Sequence, residues 1–186
     1  FDLLPNLTAT VGARANWDDK TFTTATQLPE RNNLVSIPSQ TRLQDWYSFT
    51  PRVGLDWKLI ENVLLYASYS EGFKSGGYGN PTAVQPTPVY GPEELSSIEV
   101  GAKTQWLNGR VTLNAAAFSS KWKEIQLNVI VPGPTGGVVN VTQNGGDADL
   151  EGFEAEGVFR PVNGLSLNFG AGYTTHEFTR PAGGVV

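Results

Sequence analysis

The chain has 186 residues, no cysteine and a formal net charge of −5. One domain is therefore the default expectation, and a disulfide framework or a thiolate metal site is excluded. The acidic balance disfavours a nucleic-acid partner, which would require a basic face. The five Trp, six Tyr, nine Phe and 21 Gly are typical of an aromatic-rich β protein.

Seven segments alternate apolar and polar side chains, which is the pattern of a β-strand with two unlike faces. They are residues 7–17, 46–58, 63–73, 98–106, 111–117, 150–160 and 165–173. Asn108-Gly109 is a strong hairpin signal between the fourth and fifth segments. Pro51 lacks the N–H that a ladder requires, so we expect a local defect or a bulge there. No segment has the caps and the period of a helix, and no apolar run is long enough for a transmembrane helix.

The connections between these strands alternate in length along the chain. Residues 18–45, 74–94 and 131–147 are read as long polar loops, with a short strand expected near 138–141, whereas 59–62, 107–110 and 161–164 are tight turns. In an antiparallel meander, alternate connections lie at the same end, so all the long loops share one end. Outer-membrane β-barrels have this asymmetry. The sequence therefore predicts an all-β, up-and-down meander of about seven strands from a large transmembrane barrel.

The shared period of two predicts which side chains face lipid and which mark the membrane interfaces. The predicted lipid-facing residues are Val53, Leu55, Val100, Ala102, Leu113, Leu167 and Phe169. The predicted interface aromatics are Trp17, Tyr47, Trp57, Tyr69, Trp106, Phe159 and Tyr173. An Arg at position 167 is expected to cost about 2–4 kcal/mol if this position is near the midplane of the bilayer. Lys121 and Lys123 have the parity of the lipid-facing set and are expected just above the outer boundary.

No combination of residues predicts a catalytic or metal site. Glu99, Glu151, Glu154 and Glu156 alternate with apolar residues, which favours the solvated wall of a lumen over a glycosidase pair. His176 is the one histidine, so a triad or a His-rich metal site has no support. We expect a protein that is not an enzyme and has no cofactor.

Several strand sequences resemble the barrel of TonB-dependent outer-membrane receptors. They are FTPRVGL (49–55), LYASYSEGFK (65–74), EVGAK (99–103), GFEAE (152–156), and Ala117-Phe118 with Ile125-Gln126. The order and spacing of these pieces cover most of residues 7–178. Seven strands are too few for this class of barrel, and no plug domain or TonB box is recognisable. The chain is therefore expected to be an interior fragment of a larger receptor, with residues 1–186 forming part of the barrel.

The resemblance implies a bacterial outer-membrane receptor that binds a scarce nutrient, such as an iron–siderophore complex, and imports it with TonB-coupled energy. The implied partners are membrane lipid and lipopolysaccharide, the plug and remaining strands of the parent chain, TonB, and a small-molecule ligand. Lys74, Tyr78 and Tyr90 are the candidate ligand contacts, and nearby glycines are expected to let their loop reshape. The alternatives are a porin or structural outer-membrane barrel, or a soluble β-sandwich used in adhesion.

Overall fold

The computed structural model describes residues 1–30, 33–79, 88–133 and 137–180, with the backbone alone for 24–30 and 33–40. Within these residues the chain forms an eight-stranded antiparallel sheet and two two-stranded ribbons. The strands are β1 (Asp2–Leu4), β2 (Leu7–Glu30), β3 (Asn33–Ile60), β4 (Val63–Lys74), β5 (Gly77–Tyr78), β6 (Val89–Tyr90), β7 (Glu93–Trp106), β8 (Val111–Lys123), β9 (Gln126–Pro132), β10 (Val138–Asn144), β11 (Asp147–Phe159) and β12 (Leu167–Arg180).

The main sheet has the order β1-β2-β3-β4-β7-β8-β11-β12, while β5 pairs with β6 and β9 pairs with β10. Consecutive long strands are thus neighbours, and the predicted antiparallel meander is confirmed with eight strands in place of about seven. Each ribbon belongs to a long connection. The described part of the chain contains no helix long and apolar enough to cross a membrane.

The first long connection is not a loop. β2 and β3 pair from Leu7↔Trp57 to Glu30↔Asn33, with one register shift between Thr24 and Thr26. The prediction of a loop over 18–45 was therefore wrong, because this hairpin extension has polar residues on both faces and so lacks the alternation that marks a half-buried strand. The centres of the other two predicted loops, at 80–87 and 134–136, and the tail after Arg180 lie outside the described residues.

The short turns lie at the opposite end of the sheet, as predicted. Residues 61–62 and 107–110 join neighbouring strands, and a longer turn at 160–166 delays the start of β12 by two residues. In the turn at 107–110, Leu107 and Asn108 both have φ of +53° and Gly109 has φ of +82°. Asn and Gly tolerate this left-handed conformation well, so the sequence is suited to the reversal that it makes.

Pro51 marks a local defect in the sheet, as expected, and this defect is a fork and not a bulge. The β2–β3 ladder passes through Ala13↔Pro51 without a register shift. The β3–β4 ladder instead stops at Arg52↔Ser70, although β4 continues to Lys74 along β7. A residue with no N–H is well placed where a ladder ends. Beyond Pro51 the ladder between β3 and β4 does not continue toward the long-connection end.

Cross-strand register assigns every long strand one apolar face. Leu55 pairs with Ala67, Ala67 with Val100, and Val100 with Ala117, and paired residues share a face. Followed across the sheet, the register places all seven predicted lipid-facing residues and all seven predicted interface aromatics on this face, which we call the outward face. The other, polar face is called the inner face.

The outward face is not covered by protein. Val100 is 50% exposed and Phe169 is 57% exposed, like most large apolar residues of this face. The buried apolar side chains of the described residues, Trp46, Ile125, Val141 and Ala148, all lie at the long-connection end. A β-sandwich buries the apolar face of one sheet against a second sheet. The soluble sandwich is therefore ruled out as the architecture of this chain.

Candidate functional site

The described parts of the long connections fold together at one end of the sheet. They are the β2–β3 extension beyond residue 17, residues 75–79 and 88–92 with β5 and β6, and residues 124–133 and 137–146 with β9 and β10. We call this assembly the outer loop cluster. Because binding surfaces are usually carried by connections on a rigid scaffold, it is the candidate functional site.

Tyr78 packs against the inner face of the β2–β3 extension. Its ring stacks on Phe22 with a centroid distance of 4.9 Å and meets Trp46 edge-on at 6.5 Å. The Tyr78 hydroxyl donates a hydrogen bond of 3.3 Å to the Lys20 carbonyl. The predicted ligand residue Tyr78 is therefore half-buried and anchored, with only part of its surface open to solvent.

Lys20 ties the start of the second connection to the same hairpin. Its ammonium donates hydrogen bonds of 2.6 Å to Ser75 Oγ and to the Gly76 carbonyl, and lies 5.2 Å from the centroid of the Trp46 ring. Gly76 is required for this close approach, since a Cβ there would lie 2.5 Å from Trp46 Nε1. Gly76 thus has a packing role, whereas the sequence suggested only that it lets the loop reshape.

The end of the second connection is bound to the β9–β10 hairpin. Gly91 N–H donates to Asn144 Oδ1 at 2.6 Å, and the Gly91 carbonyl accepts from Gln126 Nε2 at 3.1 Å. Gln126 Nε2 also donates to the Ser75 carbonyl at 3.0 Å. The three long connections therefore form a braced unit. Lys20 and Asn144 were missed at the sequence level because no period or motif singles them out, and Gln126 was quoted only as part of the family resemblance, without a role.

An ion cluster clamps the third connection to the last two strands. The Arg180 guanidinium donates to both carboxylate oxygens of Asp147, at 3.0 and 3.1 Å, and pairs with Glu124. The Glu124 N–H donates to Asp147 Oδ1 at 2.9 Å. The hydrogen bond from Arg180, supported by the one from Glu124, holds the pKa of Asp147 below its usual value.

Lys74 and Tyr90, the other two predicted ligand residues, lie on the two stems of the second connection. The Lys74 side chain is 63% exposed, and its ammonium is 3.8 Å from Glu93, a separation at which an exposed ion pair contributes little. Tyr90 is half-buried against Gly77, where a Cβ would lie 2.5 Å from the Tyr90 hydroxyl. Of these three residues, Lys74 is the one that carries a charge, and its side chain is largely exposed.

The inner face carries a polar recess of about 500 Å³ nearer the short turns. The Tyr66 hydroxyl donates to Glu99 at 2.8 Å, Lys103 lies 5.3 Å from the Tyr66 ring centroid, and Asn114 donates to Glu156 at 2.9 Å. Glu154 and Glu156 thus line the same wall as Glu99, as predicted. The grouping of Glu151 with them was wrong, because Glu151 pairs with Ser119 and Thr175 on the outward face.

No metal centre is present in the part of the chain that the structure describes, which contains no group of three or more His, Asp or Glu able to hold an ion. His176 makes an edge-on contact with Phe178 at 6.2 Å on β12. The arrangement therefore brings together polar hydrogen-bonding groups and an accessible ammonium.

A single sheet with an exposed apolar face, a polar opposite face and connections sorted by length defines the wall of a transmembrane β-barrel. The family model "TonB dependent receptor-like, beta-barrel" matches residues 1–185. This chain belongs to the β-barrel family of TonB-dependent receptors, which are outer-membrane proteins of Gram-negative bacteria. The resemblance seen in the sequence is confirmed.

Two receptors of Pseudomonas are similar in sequence. The metal-pseudopaline receptor CntO of Pseudomonas aeruginosa is 30% identical over 131 residues, which are 70% of this chain and 17% of that receptor. The ferric-pyoverdine M114 receptor PbuA of Pseudomonas sp. is 25% identical over 169 residues, which are 90% of this chain and 19% of the receptor. The chain thus spans less than a fifth of the length of these relatives, which are named as receptors and not as enzymes.

Solved structures share the fold. The ferric yersiniabactin uptake receptor FyuA from Yersinia pestis superposes with a TM-score of 0.75 at 23% identity, over 95% of this chain and 25% of that one. The siderophore receptor PiuA from Acinetobacter baumannii has a TM-score of 0.71 at 20% identity, over 97% of this chain and 24% of that one.

Proposed function

We propose that this chain is part of an outer-membrane active-transport receptor that binds a metal chelate, such as an iron–siderophore complex, at its outer loop cluster and imports it with TonB-coupled energy. The observation that carries the proposal is the location of the water-excluded core. Trp46, Ile125, Val141 and Ala148 are buried at the end of the long connections, and none of them lies on the outward face. Such a core gives the cluster the rigidity of a recognition surface.

Lys74 is the proposed electrostatic contact of this receptor with an anionic chelate, because its ammonium is largely exposed and only loosely paired. Tyr78 and Tyr90 contribute the remaining open parts of their rings as amphipathic surface beside it. Their anchoring by Phe22, Trp46 and Gly77 gives them little ordering entropy to lose when a ligand binds.

The other proposed partners meet the two faces of the sheet. The seven predicted lipid-facing residues contact membrane lipid, the seven interface aromatics lie at its boundaries, and Lys121 and Lys123 reach the phosphates of lipopolysaccharide. Val111 to Ser119 are nine residues, enough for a tilted strand to cross the hydrocarbon before Lys121. The inner face meets the plug domain of the parent chain, the sheet edges meet its remaining strands, and TonB acts through its N-terminal region.

The proposal is tested by uptake of radioactive iron into a receptor-deficient Gram-negative strain that expresses the full-length receptor. The probes are ferric complexes of hydroxamate, catecholate and carboxylate siderophores. We expect at least one complex to accumulate, and we expect accumulation to stop when the proton-motive force is collapsed or TonB is deleted. Energy-independent uptake together with steady ion conductance of the purified receptor would instead indicate a passive porin.

The role of Lys74 is tested in the same strain, by measuring the affinity of each receptor variant for the transported complex. Lys74→Ala is expected to weaken binding of the transported complex about tenfold, which corresponds to about 1.4 kcal/mol. Lys58→Ala is the matched control, because Lys58 lies near the short turn at the other end of the sheet and pairs with Leu64 on the inner face. Equal affinities for the two variants would remove Lys74 from the proposed site.

A further inference from the structure

Two carboxamide side chains join the second long connection to the third. Gln126 begins β9 and Asn144 ends β10, and the two residues are cross-strand partners at the base of that hairpin. Asn144 accepts from the Gly91 N–H at 2.6 Å and donates to the Gly91 carbonyl at 3.2 Å. Its side chain therefore makes both of the hydrogen bonds that a neighbouring strand would make to Gly91.

The same two side chains close the second connection on itself. Gln126 Nε2 donates to the Ser75 carbonyl at the beginning of the connection and to the Gly91 carbonyl at its end, at 3.0 and 3.1 Å. Gln126 N–H donates to Glu93 Oε2 at 2.7 Å, just after the connection. One residue of β9 thus holds both stems of residues 75–92 together.

The Asn144 carboxamide has little freedom to rearrange. Its Nδ2 also lies 2.7 Å from the Glu124 carbonyl and 3.3 Å from the Pro92 carbonyl, so its donors face three backbone oxygens. These groups are partly buried, where a hydrogen-bonding atom that loses its partner costs more than it does in water.

We propose that Asn144 and Gln126 are positioning residues of the ligand site. They hold the described stems of the second connection, residues 75–79 and 88–92, which carry Tyr78 and Tyr90, against the β9–β10 hairpin, so that the stems and the hairpin present one preformed surface to the ligand. A preformed surface spares the ligand the entropy cost of ordering these stems. This inference rests on the proposed function, because it assigns the two residues a role in binding the transported complex.

The decisive variant is Asn144→Asp in the full-length receptor. It is isosteric and keeps the acceptor for the Gly91 N–H, but it replaces the donor by a carboxylate oxygen that faces the carbonyls of Glu124, Gly91 and Pro92. Asn128→Asp is the matched control in the same hairpin. Asn128 Oδ1 accepts from Thr142 Oγ1 at 2.7 Å, and a carboxylate preserves that bond.

Three measurements are made on each variant. Amide hydrogen exchange of residues 88–93 in the ligand-free receptor is expected to accelerate about tenfold to hundredfold in Asn144→Asp and to stay unchanged in Asn128→Asp. The dissociation constant of the transported ferric siderophore is expected to rise by a similar factor in Asn144→Asp alone. Resistance of the barrel to SDS at room temperature should remain at the wild-type level in both variants.

Faster exchange with an unchanged dissociation constant would overturn the proposal, because the bridge would then stabilise the connection without serving the ligand. Unchanged exchange in Asn144→Asp would overturn it as well. A wild-type receptor that binds none of the ferric siderophores would contradict the proposed function itself. The two failures are therefore distinguishable. Gln126→Glu, which loses the donors to Ser75 and Gly91, should reproduce the effects of Asn144→Asp.

Discussion

Two neighbouring alanines of β8 allow the two faces of the sheet to be compared with one chemical change. Ala115 pairs with Ala102 and Ala155 on the outward face. Ala116 pairs with Gly101 and Glu154 on the inner face. Ala115 is also the middle residue of the stretch from Val111 to Ser119, so an Arg at this position would lie near the midplane of the hydrocarbon.

We expect Ala115→Arg to lower the free energy of unfolding by about 2–4 kcal/mol, the cost of Arg at the midplane on the lipid face of a barrel. Its alanine neighbours offer the guanidinium no side-chain acceptor. Ala116→Arg instead points the guanidinium into the polar recess, opposite the Glu154 carboxylate. That variant is expected to lose clearly less stability than Ala115→Arg, because the inner face offers the guanidinium polar partners in place of hydrocarbon.

The assay is the urea dependence of folding of the full-length receptor into phospholipid vesicles, with the folded fraction measured by resistance to SDS at room temperature. Free energies follow from the linear dependence on urea. The reasoning would be refuted if the two variants lost equal stability, or if Ala116→Arg lost more. Either result would mean that the apolar face of β8 does not contact lipid.

Three further predictions concern the ends of the sheet. Lys20→Ala removes the donor to Ser75 and Gly76, so protease should cleave within residues 75–79 faster than in wild type, while Lys58→Ala should leave that rate unchanged. Because Arg180 lowers the pKa of Asp147, the ion cluster of Arg180 with Asp147 is intact above the ordinary Asp pKa of about 3.9 and is lost as pH falls through the lowered value. A spin label at Val138 should therefore gain mobility in that pH range. The gain should be smaller in the variant Asp147→Asn than in the wild type. Leu167→Arg should lower the free energy of unfolding by only about 0–1 kcal/mol in the vesicle assay, because Leu167 is the first residue of β12 and lies beside the turn, near the membrane interface. A loss as large as that of Ala115→Arg would contradict this position near the interface.

The strands and their faces could be predicted because each crosses between two unlike solvents. Where one side chain meets lipid and the next meets a polar lumen, composition alternates with period two, as in β7 and β8. The Asn108-Gly109 signal likewise located the turn between them. These features depend on residues near each other in sequence, so local pattern was sufficient.

The outer loop cluster could not be predicted in the same way. At residues 18–23 and 41–45 the β2–β3 extension carries polar residues on both faces, so its strands show no regular alternation beyond residue 17. The contacts of Lys20 with Ser75 and of Asn144 with Gly91 span more than fifty residues of chain and involve common residue types. Glu151 was misplaced because its polarity was taken to mark the inner face, whereas it lies on the outward face, one pair beyond the aromatic pair Phe153–Tyr173.

The most direct test of the barrel-wall assignment is a spin-label scan of residues 111–119 in the full-length receptor reconstituted in lipid vesicles. Collisions with oxygen, which dissolves in lipid, and with a water-soluble nickel chelate are measured at each position. We predict that oxygen accessibility peaks at the odd positions 111, 113, 115 and 117, and that nickel accessibility peaks at the even positions. Nickel accessibility that is high at the odd positions, or a profile with no period of two, would contradict the conclusion that this sheet is the lipid-facing wall of a barrel.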